Sequence, residues 1–132
     1  MKKTIITTQK ELDNLKQVKK EQEVIIESST ELTLNFILEV YGVLKIKCKV
    51  NCSRRNEKYF RARENSSVEA RGNSSVEAWG NSSVVAWGNS SVVARENSSV
   101  KIIFDTFKGL IKLFGYSACW FPESLKIKIE VK

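Results

Sequence analysis

The chain has 132 residues, a formal net charge of +7 and no histidine. That length suits one domain with a modest core, and the missing imidazole removes the commonest general base and metal ligand. Asp13 and Asp105 are the sole aspartates, and neither a phosphate-binding glycine loop, a nucleophile elbow nor an acidic cluster at metal spacing occurs, so the expectation is a non-enzyme with no catalytic residues, no cofactor and no metal.

Residues 1–22 read as a short capping helix and its lead-in. Thr8 followed by Glu11 is a capping box. Leu12, Leu15 and Val18 fall on one helical stripe, opposite Lys10, Asp13, Lys16 and Lys20. The opening Met-Lys-Lys-Thr-Ile-Ile has the charged start of a secretory signal but neither its apolar segment nor its cleavage site. No apolar run is long enough for a membrane helix, and a cytoplasmic protein without membrane contact is expected. An apolar stripe of three residues suits a helix that closes the open end of a β-stack.

Residues 23–63 carry larger inward residues. A strand is predicted over 23–27 and a turn over 28–30. Leu32, Leu34, Phe36, Leu38 and Val40 then alternate, and Leu44, Ile46, Cys48 and Val50 face in while Lys45, Lys47 and Lys49 face out. Such side chains predict coils wider than those that follow. Residues 51–58 are a polar loop whose Arg54-Arg55 pair is the densest positive point in the chain. Phe60 and Ala62 then enter the phase of the repeat, with Arg61 and Arg63 outward. Cys48, Cys52 and Cys119 form no CxxC pair and are odd in number, so they read as partly buried small apolar residues.

Residues 64–100 hold an eight-residue unit, Gly/Glu-Asn-Ser-Ser-Val-x-Ala-Trp/Arg, written four times with the start of a fifth. In each unit Val and Ala share one face of a short strand, while x (Glu69, Glu77, Val85, Val93) and the closing Trp or Arg take the other. A face that admits only Val and Ala is a narrow interior, and a face that admits Glu, Val, Trp and Arg is solvent. Gly72, Gly80 and Gly88 supply corners with φ > 0. One octad cannot bury its own apolar face, but stacked copies can. The expected fold is therefore all-β: a parallel β-solenoid of short octad strands. Two octads per coil would stack Arg71 on Trp87 and Trp79 on Arg95; three would stack Arg71 on Arg95. The first arrangement brings cation–π pairs and the second like charges, which mildly favours two. Asn65, Asn73, Asn81, Asn89 and Asn97 are expected to form amide ladders along the corners. Their Asn-Ser-Ser triplets match a glycosylation sequon, but turn chemistry explains them better.

In residues 101–132 the phase loosens. Residues 101–104 are expected to continue a strand, Phe107, Leu110, Ile111, Leu113, Phe114 and Trp120 to fill the last coils, Gly109 and Gly115 to mark corners, residues 121–124 to turn, and residues 125–132 to form a final alternating strand edged with lysines.

For function the leading expectation is a binding scaffold that presents Trp79, Trp87, Arg61 and Arg63, beside Arg54 and Arg55, to a protein partner, with homodimerisation through a flat face or a coil end as one form of it. The bland alternative has the tryptophans stacked on arginines and Arg61 and Arg63 paired with Glu69 and Glu77. The runner-up is nucleic-acid binding, with Arg54, Arg55, Lys45, Lys47 and Lys49 on phosphates and the tryptophans on bases.

The run VEARGNSSVEAWGNSSVVAWGNSSVV, with the openings TTQKELDNLK and VIIESS, resembles octad-repeat β-solenoid proteins of gut bacteria and their phages and mobile elements. The resemblance covers most of the chain and implies the same solenoid. It brings no catalytic motif. Its phage setting implies a small protein that binds and inhibits a host factor such as a defence complex, an implication of context rather than of fold.

Overall fold

The computed structural model describes residues 2–72, 74–102, 109–121 and 129–131. The chain winds into a parallel β-solenoid. The first coil holds β1 (Lys2–Ile6), α1 (Gln9–Asn14) and β2 (Gln17–Val18); the second holds β3 (Gln22–Ile26), β4 (Leu32–Thr33) and β5 (Leu38–Val40). The third holds β6 (Val43–Ile46), β7 (Val50–Asn51) and β8 (Phe60–Ala62). Four two-strand coils follow: β9 (Ser67–Ala70) with β10 (Ser75–Ala78), β11 (Ser83–Ala86) with β12 (Ser91–Ala94), β13 (Ser99–Ile102) with β14 (Ile111–Leu113), and β15 (Ala118–Trp120) with β16 (Ile129–Val131). The odd-numbered strand of each two-strand coil joins β1, β3 and β6 in a first sheet of seven strands; the even-numbered one joins β2, β5 and β8 in a second.

The repeat closes at two octads per coil. Ser83 stands in register with Ser67 and with Ser99, each 16 residues away, and Ser75 with Ser91. The first three coils are wider because they have a third side, made by β4 and β7 and, in the first coil, by α1. Leu12, Leu32, Leu34 and Val50 fill the extra volume. The capping box at Thr8 and Glu11 is present, yet the helix has only six residues, and Val18 belongs to a strand. Gln9 ties α1 to Thr33 of the coil above through hydrogen bonds of 2.7 and 2.8 Å. The helix is thus one side of the first coil and does not lie across its end. Residues 2–6, read as a lead-in, are the outermost strand of the first sheet. The alternating runs 32–40 and 43–50 each break into two strands, since a coil must turn where a flat strand would run on.

The narrow core is a column of Val68, Val76, Val84, Val92 and Val100 beside Ala70, Ala78, Ala86 and Ala94, all at most 2 % exposed. A third inward residue went unread: the first serine of each octad. Ser66, Ser74, Ser82, Ser90 and Ser98 are buried. The hydroxyls of Ser74, Ser90 and Ser98 donate to the carbonyls of Arg71, Trp87 and Arg95 at 2.7–2.8 Å, closing the corner much as a backbone turn does. The corner residue is left-handed, with φ of 64–68° at Gly72, Gly80, Gly88 and Gly115; Glu64 and Glu96 take the same conformation with φ of 57° and 58°. The asparagine that follows is exposed at 65, 81, 89 and 97, and the coils are joined there by its backbone, Asn81 N–H donating to the Glu64 carbonyl at 2.9 Å and Asn89 N–H to that of Gly72 at 3.1 Å. No side-chain amide ladder is present among the described residues, because the amide points to water while the main chain carries the stacking. Asn73, Phe104, Phe107 and most of the expected final turn and strand lie outside the described residues.

Candidate functional site

Register decides what the outer surface offers. On the second sheet one outward row runs Gln17, Glu39, Arg61, Glu77, Val93, Lys112, Glu130. Neighbours in this row are about 4.8 Å apart, close enough for alternating charges to pair. Arg61 bonds Glu39 at 3.0 Å and lies 3.8 Å from Glu77, and Lys112 lies 3.6 Å from Glu130. The loop over 52–58 leaves the stack beside this row, pinched by two backbone hydrogen bonds between Ser53 and Lys58. From it Arg54 reaches the Glu77 carboxylate at 2.9 Å.

Glu77 was expected in solvent and is only 5 % exposed. Its oxygens accept from Arg54 and from the Trp79 indole N–H. Burial pushes its carboxyl up, but those hydrogen bonds and the charges of Arg54 and Arg61 outweigh it and hold the group below the usual carboxylate range. Val93, one coil on, is also buried. Arg54, Lys112 and Leu110 line the hollow of about 180 Å³ beside it.

The closing Trp or Arg of each octad falls on a narrow edge, and alternate octads use opposite edges. After the second sheet come Tyr41, Arg63, Trp79, Arg95 and Phe114, one above another. The Arg95 guanidinium sits 5.0 Å from the Trp79 ring centre and 4.4 Å from that of Phe114. After the first sheet come Arg71 and Trp87, 4.5 Å apart. Both tryptophans are therefore half-buried under arginines, the stacking that two octads per coil implies.

The six residues singled out in the sequence do not share one surface. Arg54, Arg61, Arg63 and Trp79 come together on the second sheet and its edge, held by Glu39 and Glu77. Arg63 bonds Glu39 at 2.5 Å, and Arg61 also donates to the Tyr59 hydroxyl at 2.6 Å. Trp87 lies on the opposite edge. Arg55 is exposed at the loop tip. The expected pairing of Arg61 or Arg63 with Glu69 does not occur, since Glu69 lies on the first sheet beside Lys45, 3.9 Å away. Lys45 and Lys49 are likewise engaged, by Glu23 at 3.1 Å and Glu31 at 3.8 Å.

Two surfaces were missed. Trp120, expected to fill the far coils, is 58 % exposed on the outer face of β15, under the Lys101 ammonium at 5.2 Å. Cys119 takes the inward position there, in register with Val100. The phase of Ser117-Ala118-Cys119-Trp120 against Ser98-Ser99-Val100-Lys101 carried that signal. Tyr116, Phe121 and Val131 of the same coil are exposed too. The other surface is a hollow at the opposite end, edged by Lys2, Lys16, Lys19 and Lys20.

Chemically, the described residues offer cations, six carboxylates paired with them (Glu23, Glu31, Glu39, Glu69, Glu77 and Glu130), and aromatic faces. Among them no group of three or more Cys, Asp or Glu is placed to hold a metal ion. The three cysteines are free, and burial raises their thiols, to about 11 at Cys52 and Cys119, so they stay protonated near neutrality. No helix is long and apolar enough to cross a membrane among the described residues. Comparison with protein-family models, with curated proteins and with solved structures finds no match.

Proposed function

We propose that this chain is a non-enzymatic binding scaffold that docks a protein partner on its last coil. One observation carries the reading. Of the five exposed large apolar side chains among the described residues, four (Tyr116, Trp120, Phe121 and Val131) belong to that coil. Rigid aromatic side chains held open to water are the usual anchors of a protein interface. The residues first expected to serve, Arg61, Arg63 and Trp79, are already engaged by Glu39 and Glu77. Thiols held protonated favour binding over catalysis.

The test is capture of a partner from nuclease-treated lysate by wild type, by Trp120→Ala/Phe121→Ala, and by Trp87→Ala/Arg55→Ala. Loss of at least about tenfold in the first variant, with the second unaffected, is the expected result, the scale of one interface anchor. Dependence on the second variant alone would return the site to the repeat edge and the loop. A concentration-dependent dimer of wild type that dissolves in the first variant would make a second copy of the chain the partner.

A further inference from the structure

The N-terminal end of the stack has a feature of another kind. A hollow of about 640 Å³ is edged by Lys2, Lys16, Lys19, Lys20 and a single acid, Glu21. Three hydrogen bonds set its shape. Gln22 N–H donates to the Lys19 carbonyl at 3.1 Å, Lys19 N–H to the Gln22 side chain at 3.0 Å, and Lys2 N–H to the Glu21 carbonyl at 3.3 Å. The turn from β2 into β3 is thereby fixed, with Glu21 left-handed at φ 64°, and it holds two adjacent lysines out beside the lysine that opens β1. All four lysines are exposed, and among the described residues none of them takes part in an ion pair. The contrast with the other basic stretch is sharp, for Lys45, Lys49 and Arg54 are each held by a carboxylate.

We infer that this hollow binds the phosphate backbone of nucleic acid. Four unpaired ammonium groups around a concavity suit several linked phosphates, whereas a lipid surface would meet a flat or protruding basic face. Neither an arginine nor an aromatic side chain lines the hollow, so the site contacts backbone and reads no base. The +7 charge of the chain steers a polyanion toward it.

Fluorescence anisotropy with a labelled mixed-sequence 20-nucleotide single strand tests this. Four contacts predict a slope of log affinity on log salt near −3, from about −0.7 per phosphate. Lys2→Gln/Lys16→Gln/Lys19→Gln/Lys20→Gln should lower affinity at low salt by at least about tenfold and flatten the slope. Lys47→Gln/Arg55→Gln should leave both unchanged. The inference fails if the quadruple variant binds like wild type, or if the double variant is the one that loses the strand. It fails equally if anionic vesicles, and not the oligonucleotide, retain the protein. It also fails if wild type binds no oligonucleotide while the quadruple variant self-associates, which would make the lysines guards of the free edge of β1.

Discussion

At Gly42 a hydrogen atom is the largest side chain that fits. A methyl group there would overlap the carbonyl oxygens of Lys19 and Gln22, both backbone atoms of the tight turn below. The Lys19 carbonyl accepts the Gln22 N–H at 3.1 Å, so withdrawing it would open that turn. Gly42→Ala should therefore destabilise the fold by about 3 kcal/mol, at the upper end for overpacking of a well-packed site, read as a fall in the urea midpoint at unchanged slope. An unchanged midpoint would mean that the turn yields. The neighbours of this glycine were not legible in the sequence, because Lys19 lies one coil away and only register brings the two together. The inward serines were hidden for a different reason. Serine is usually a surface residue, and at Ser74, Ser90 and Ser98 its burial is met by a carbonyl three residues back that a linear reading does not weigh.

The strand row through Glu39, Arg61 and Glu77 is an element-scale device. It ties the loop over 52–58 to β10 through Arg54 and joins three coils by charge. Glu77 is the one nearly buried carboxylate in it, and its folded-state affinity for a proton is reduced. The sign follows directly. A carboxyl lowered on folding contributes stability that is present above its unfolded value, near 4.3, and that is lost as pH falls below it. Wild type should lose denaturant resistance as pH falls from about 5 downward. Glu77→Gln should be less stable than wild type at pH 7 by about 2 kcal/mol, the scale of a hydrogen bond between charged groups, since Arg54 is partly exposed and Arg61 keeps Glu39, and should lose less on acidification. Parallel pH profiles of the two proteins would remove Glu77 from this role. The octad announced Val76 and Ala78 as interior, from period 2, but it only mildly favoured Trp79 on Arg95, since a period of eight fits two or three octads per coil and the 16-residue register decides between them. It was silent on Glu39, which precedes the repeat and finds Arg61 only because the wide second and third coils each advance 22 residues along this sheet.

At the scale of the whole molecule, each coil touches little beyond the coils above and below it, so stability is close to a sum over neighbours. The octads are near-equivalent, and insertion of further octads should be absorbed without unfolding. Geometry then discriminates in a way stability does not. Lys3 and Ser99 lie in one outward row of the first sheet, with Glu23, Val43, Ser67 and Ser83 between them. Five strand spacings separate them, about 24 Å. Two extra copies of Gly-Asn-Ser-Ser-Val-Val-Ala-Trp after Trp87 add one full coil and should lengthen that distance to about 29 Å. One extra copy adds half a coil. It carries Ser99 to the second sheet, across the sheet separation of about 10 Å and pointing the other way, so outward labels should stand beyond about 30 Å. Spin labels at Lys3 and Ser99, with Cys48, Cys52 and Cys119 replaced by alanine, would read these distances by double electron–electron resonance. The expected order is therefore non-monotonic, shortest with no insertion, longest with eight residues, intermediate with sixteen. A steady increase with length would break the rule of two octads per coil. With it would go the alternation that sends Trp79 and Trp87 to opposite edges and leaves the exposed aromatic residues to the last coil.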